Sequence, residues 1–76
     1  MVYGFAEEVE TIDEASPILL RVMKKVQDFS LKENMLLDAK IIRYAAGIFA
    51  VDVCLPDETL VLRYVVYIKP LLSTNP

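Results

Sequence analysis

Few side chains in this sequence are suited to catalysis or to metal binding. The 76 residues contain no histidine and a single cysteine, Cys54, so the commonest general base and the commonest metal ligand are missing. A Cys/His or Ser-His-Asp arrangement within one chain is excluded, and one thiolate is too few for a typical zinc site. The two glycines, Gly4 and Gly47, do not form a phosphate-binding loop.

Carboxylates are the remaining candidates for acid–base chemistry or for holding a hard cation. None of them follows the D-x-[DN]-x-[DN]-G spacing that gathers oxygen ligands around calcium. We therefore predict no catalytic residue, no metal, no cofactor and a non-enzymatic protein. The carboxylates considered are Glu7, Glu8, Glu10, Asp38 and Asp52.

Basic side chains offer one further chemistry, contact with the phosphates of a nucleic acid. If residues 13–46 formed two helices ahead of a hairpin, their order would superficially resemble a winged-helix module. The net charge of −3 argues against this, because such domains usually have a dominant basic face. Nucleic-acid binding is thus the less favoured alternative. It would use Arg21, Lys24, Lys25, Lys40 and Arg43.

The element around which the chain is organised is a predicted β-hairpin over residues 48–69. Val, Ile, Phe and Tyr, which favour strands, dominate residues 48–55 and 59–68. Pro56 and Asp57 between them are typical turn residues. A two- or four-residue loop places Leu55 opposite Leu60, Val53 opposite Leu62 and Asp52 opposite Arg63, whereas a three-residue loop shifts the register by one residue.

In this register the two faces of the hairpin differ in an unexpected way. One face is entirely uncharged and is the predicted core face. The other should be polar if it met solvent, yet it is mostly apolar around a facing Asp52/Arg63 pair, which suggests that a partner covers it. The alternative is that these are strand-forming residues left half exposed. The predicted interface consists of Ile48, Val61, Arg63, Val65 and Tyr67.

A helix is predicted over residues 13–29. Asp13 and Ser16 are candidate caps, and Pro17 suits a first turn, where its missing N–H is not needed. Its apolar stripe matches the core face of the hairpin. Residues 1–12 are predicted as a possible edge strand, since charges along an edge resist pairing with other chains.

Residues 30–46 are open to two interpretations. Helix is preferred, because Ser30 and Glu33 have capping-box spacing and Gly47 suits a helix stop. Alternatively, part of the segment is a further strand that turns at Ala46-Gly47. Residues 71–76 are expected to be a mobile tail after Pro70.

Together these elements predict one small α+β domain over residues 1–76, with two helices packed on an antiparallel sheet. The preferred order is β-α-α-β-β and the alternative is β-α-β-β-β. With 55% hydrophobic residues in so short a chain, association is expected, so we predict a homo-oligomer, with a dimer favoured. The acidic residues in the range 7–14 also suggest, as a possible partner, a larger protein with a basic surface. Without a signal peptide, disulfide or spanning segment, we expect a small, acidic, cytoplasmic protein.

Overall fold

The computed structural model describes residues 2–70, which form one helix and one four-stranded mixed sheet. The predicted tail, residues 71–76, lies outside the described residues. The elements are β1 (Tyr3–Val9), α1 (Ile12–Lys32), β2 (Asp38–Ala45), β3 (Ile48–Cys54) and β4 (Leu60–Ile68). The strand order is β1-β4-β3-β2; β1 pairs with β4 in parallel and the other pairs are antiparallel.

The predicted second helix is wrong, and the alternative order, β-α-β-β-β, matches the structure. α1 continues to Lys32 and ends in a Schellman motif. In this motif Asn34 has a φ of +53°, and the amide of Met35 donates to the carbonyl of Ser30 at 3.0 Å. The Ser30 hydroxyl donates to the Met35 carbonyl, so Ser30 closes a helix instead of opening one.

Residues 38–45 form a strand because pairing with β3 overrides their modest helix propensity. Ile41, Ile42 and Tyr44 are good strand residues, and Ile41 pairs with Val51 while Ile42 pairs with Ala50. Gly47 has a φ of +76° and lies in the tight connection between β2 and β3. It therefore belongs to a hairpin turn and not to a helix end.

The start of α1 also differs from the prediction. The N-cap is Thr11, whose backbone N–H and hydroxyl both donate to the Glu14 carboxylate at 3.2 Å. Neither Asp13 nor Ser16 is the cap. Pro17 consequently lies inside the helix, in its second turn, where its missing N–H leaves one backbone carbonyl without its usual donor.

The core lies between α1 and one face of the sheet. Its buried side chains are all small or β-branched apart from one leucine. Because β1 and β2 are the two edges of the sheet, the single helix that joins them crosses all four strands. The N-terminal strand is an edge strand, as predicted. The core residues are Val9, Ala15, Leu19, Val22, Val51, Val53 and Val66.

The β3–β4 hairpin reaches the predicted register by an unexpected route. The Leu55 N–H donates to the Thr59 carbonyl at 2.9 Å, so the loop has three residues and Leu55 faces Thr59, not Leu60. Cys54 accordingly pairs with Leu60, but a bulge follows and Val53 pairs with Leu62. The three-residue loop shifts the register by one residue, and the bulge shifts it back.

Among residues 2–70, no helix has both the length and the apolar character needed to cross a membrane.

Candidate functional site

The face of the sheet opposite α1 is covered by no element among residues 2–70, and we call it the open face. It is formed by alternate residues of the strands, following the observed registers. Four of the five predicted interface residues, Ile48, Arg63, Val65 and Tyr67, belong to it. Its residues on the three antiparallel strands include Asp38, Lys40, Ile42, Tyr44, Ile48, Ala50, Asp52, Cys54, Leu60, Arg63, Val65 and Tyr67.

Val61, the fifth predicted interface residue, lies elsewhere. It is the extra residue of the β4 bulge, and its side chain packs against the core cluster on the α1 side of the sheet. The simple alternation used for the prediction assumed an uninterrupted ladder. A bulge breaks that alternation locally and redirects a side chain, so Val61 is not part of the open face.

A buried ion pair lies at the centre of the open face. Asp52 is only 6% exposed, and Arg63 directly opposite it on β4 donates from Nε and Nη2 to both carboxylate oxygens at 2.8 Å. This is the bidentate geometry in which a guanidinium matches a carboxylate best. The predicted cross-strand pair is therefore present, and it holds a charge that would otherwise be costly to bury.

Tyr44 completes this network. Its hydroxyl donates to Asp52 Oδ2 at 3.2 Å, and the Arg63 guanidinium lies over its ring, 4.8 Å from the centroid. Tyr44 reaches Asp52 from a bulge in β2 between Arg43 and Ala45. Sequence reasoning missed Tyr44 because residues 30–46 were predicted to be a helix, whereas the structure places Tyr44 in strand β2 beside β3.

The network shifts the pKa values of all three groups. The hydrogen bonds from Arg63 hold the pKa of Asp52 below its usual value, against the opposing effect of burial. The same hydrogen bonds raise the pKa of Arg63. Desolvation, followed by the nearby Asp52 charge, raises the pKa of Tyr44. All three groups thus keep their ordinary charge states at neutral pH, and the arrangement is that of a structural ion pair.

Apolar side chains surround the ion pair. Ala50 is completely buried, between its cross-strand partners Ile42 and Val65. Ile48 and Tyr44 are 38% and 46% exposed, which is high for large apolar or aromatic residues on a sheet. The open face therefore has an apolar surface around one internally neutralised pair, with Asp38 and Lys40 on the edge strand β2 and Glu8 on the edge strand β1.

The basic residues predicted for nucleic-acid binding do not converge. Lys40 lies on the open face with its ammonium 3.8 Å from Asp38, and Arg43, by its pairing with Phe49, belongs to the opposite side of the same strand. Arg21 and Lys25 line a groove between α1 and the sheet. The two-helix order that suggested a winged-helix module is also absent.

The acidic residues do not form a metal site within residues 2–70, where no group of three or more His, Cys, Asp or Glu side chains is suitably placed. Asp38 and Asp52 lie on the open face, Asp38 with Lys40 and Asp52 with Arg63. Glu7 lies on the other side of the sheet, where its Oε1 accepts a hydrogen bond from the Tyr64 hydroxyl at 2.6 Å.

A second surface was not foreseen from the sequence: an apolar groove of about 490 Å³ between the C-terminal half of α1 and the sheet. Four large side chains in its wall are unusually exposed for their type, namely Tyr3 (60%), Phe5 (52%), Phe29 (50%) and Met35 (44%). A helix that crosses from β1 to β2 leaves the amino end of β1 uncovered, so this corner of the core is open.

Two charged residues, both on α1, are among those that line the groove. Arg21 and Lys25 project from α1, and the Arg21 guanidinium lies 3.8 Å from Glu7. On the sheet, Phe5 stacks on Tyr64 with ring centroids 5.9 Å apart. The hydrogen bond to Glu7, together with burial, raises the pKa of Tyr64.

Comparison of the chain with known protein families, with curated proteins and with solved structures finds no match.

Proposed function

We propose that the protein is a non-enzymatic interaction module that pairs with a second copy of itself through the open face. The observation that carries the proposal is the apolar character of this face on three neighbouring strands, where a solvent-facing antiparallel sheet would alternate between apolar and polar residues. The predicted residues Ile48, Val65 and Tyr67 supply much of this surface.

The charges of the open face are compatible with a two-fold dimer. In such a dimer the same patch meets itself, so an unpaired central charge would meet a like charge. Asp52 and Arg63 already neutralise each other through two hydrogen bonds of 2.8 Å. The other charged residues of the face, Asp38, Lys40 and Glu8, lie on its two edge strands, where their side chains can remain in water.

The size of the face argues for a reversible dimer. Four strands about 4.8 Å apart and roughly seven residues long give an area on the order of 500 Å² per copy. Two copies would then bury about 1,000 Å², near the lower limit for a specific interface. We therefore expect an association that depends on protein concentration.

Two further expectations remain proposals. A cytoplasmic location agrees with a lone Cys54, since thiols stay reduced there. A larger protein partner would bind the same open face as the second copy. Its binding would therefore reduce the amount of dimer. Nucleic-acid binding is less favoured because its candidate residues are spread over three surfaces.

The test is the molar mass in solution, measured by light scattering across a wide range of protein concentration. We expect the mass to rise from 8.6 kDa toward twice that value. Val65→Lys, which places an ammonium in the apolar part of the open face, should remain a monomer. The control is Leu20→Lys, because Leu20 is 59% exposed on α1, on the other side of the sheet.

A wild-type chain that stays monomeric at every concentration would refute the proposal. So would a Val65→Lys variant that associates as strongly as the wild type. Equal loss of association in Leu20→Lys and Val65→Lys would assign the interface to some other surface. Circular dichroism of each variant shows whether the fold is intact before masses are compared.

A further inference from the structure

We propose that the groove between α1 and the sheet binds a fatty carboxylate, a single apolar chain that ends in a carboxylate group. The inference is independent of the proposed self-association, because the groove and the open face lie on opposite sides of the sheet. It rests on three features of the groove: its apolar wall, its volume and the two cations at its rim.

The wall fits an apolar chain. The helix contributes Val22, Val26 and Phe29, and the sheet contributes Val53 and Leu62. Its volume of about 490 Å³ falls within the range of roughly 300–1,000 Å³ seen for small-molecule sites. Since Phe5, Phe29 and Met35 are about half exposed, a bound chain would remove a substantial apolar area from water.

The rim fits a carboxylate. Arg21 and Lys25 are one helical turn apart on α1, so their side chains emerge on the same side of the helix. Arg21 is already close to Glu7, at 3.8 Å. Lys25 makes no ion pair with any residue from 2 to 70, so it is the cation that remains for a ligand. A carboxylate at the mouth of the groove would pair with Lys25 while its chain lies inside.

Binding of dodecanoate, measured by isothermal titration calorimetry below its micellar concentration, tests the inference. The measurements use the Val65→Lys background, so that self-association does not contribute to the heats. Lys25→Glu should weaken dodecanoate binding at least about tenfold, because a charge-assisted contact is replaced by repulsion. Lys24→Glu is the matched control. Lys24 is the adjacent residue and does not line the groove, and we expect a change of about twofold or less, the size of a screened long-range effect.

The apolar contacts are tested by filling the groove. Met35→Trp should abolish binding of dodecanoate, whereas Leu36→Trp should not. Leu36 is the next residue and is 78% exposed, but it is not part of the groove wall. Dodecan-1-ol serves as the uncharged probe: Met35→Trp should weaken its binding, and Lys25→Glu should leave it unchanged.

Three results would overturn the inference. The first is that dodecanoate does not bind the Val65→Lys chain with its groove otherwise unchanged. The second is that Lys25→Glu and Lys24→Glu weaken binding equally, which would reduce the effect to net charge. The third is that Met35→Trp leaves dodecanoate binding unchanged, because the apolar chain would then not lie against the wall of the groove.

Discussion

Asp52 is a buried carboxylate, and its stability depends on its hydrogen-bond partners. A carboxylate with 8% of its side chain exposed must be paired, since an uncompensated buried charge costs several kcal/mol. Arg63 supplies two charge-assisted hydrogen bonds and Tyr44 a third. The pair also favours the observed β3–β4 register, because a slip of one residue would move Asp52 to the core side.

Removing one partner of this pair should cost more than removing both. Arg63→Met is expected to lower the free energy of unfolding by about 2–3 kcal/mol, less than the ~3–5 kcal/mol typical of a fully buried pair, because the Arg63 side chain is 39% exposed. Adding Asp52→Val should recover most of this loss. Urea denaturation at a concentration where the chain is monomeric provides the measurement.

Lys40→Met is the matched control, since its pair with Asp38 spans 3.8 Å and both side chains are more than half exposed. Exposed pairs contribute less than about 1 kcal/mol. If Arg63→Met lowers the free energy of unfolding no more than Lys40→Met does, the buried Asp52–Arg63 pair does not stabilise the fold more than an exposed pair.

Asp52 should also make stability depend on pH. Its pKa is lower in the folded chain than its ordinary value of 3.8, so the folded state favours the ionised form. Its contribution is complete above pH 3.8 and is lost as the pH falls through the folded pKa. The free energy of unfolding of the wild type should therefore fall on acidification below this pH more steeply than that of Asp52→Asn. The free energy of unfolding of both proteins is measured across the acidic range. If it falls equally steeply with pH in the two proteins, the pH dependence does not come from Asp52.

At the scale of elements, the bulge in β4 decides which face Val61 reaches, and it sends this side chain to the core side. Tyr44 lies at the bulge in β2, but plain alternation after Lys40 and Ile42 already places it on the open face. In the β3–β4 loop, Glu58 has a φ of +70°, and the Asp57 carboxylate accepts the Thr59 N–H at 3.0 Å. Turn chemistry and bulge together set the register of the hairpin.

The two glycines should respond oppositely to the same substitution. Gly47→Ala should destabilise the fold by about 1–2 kcal/mol, because its φ of +76° is unfavourable for any residue with a Cβ. The new methyl would meet Ile68 only at ordinary contact distance, 3.6 Å, so the cost comes from the backbone.

Gly4→Ala is the partner variant. An added Cβ at Gly4 would meet nothing within 4 Å, and alanine restricts the unfolded chain, so stability should rise by about 0.5–1 kcal/mol. Thermal unfolding of both variants tests the pair of predictions. Equal losses at the two positions would show that turn geometry does not account for the effect.

For the whole molecule, one helix is too little to cover a four-stranded sheet. α1 contacts all four strands, yet it leaves one entire face open and one corner of the other face accessible. Residues 2–70 therefore expose two apolar surfaces of different shape, a flat open face and a concave groove. A flat face suits a second sheet, and a groove suits a small or extended ligand.

Self-association through the open face should couple folding to protein concentration. If the native state is a dimer and the unfolded state is a monomer, the midpoint of thermal unfolding rises with concentration. We expect this rise for the wild type and for Leu20→Lys. Val65→Lys should have a midpoint that does not depend on concentration, and differential scanning calorimetry at several concentrations distinguishes the two cases.

The sequence by itself determined the elements whose signals are local. β-Branched and aromatic runs on either side of Pro56-Asp57 predicted the hairpin, and a 3.6-residue apolar period predicted α1. Alternation from the hairpin then placed Ile48, Val65 and Tyr67 on one face and Asp52 opposite Arg63. These predictions depend on propensity and periodicity, and both can be read from a short stretch of neighbouring residues.

Only the tertiary structure decided the features that depend on pairing across the sheet. Residues 38–45 are a strand because β3 supplies hydrogen-bonding partners, which outweigh a local helix preference. The bulge that moves Val61 to the core side reconciles the three-residue loop with the pairing of Val53 and Leu62. The groove exists because one helix must connect opposite edges of the sheet, and no local pattern in the sequence reports that constraint.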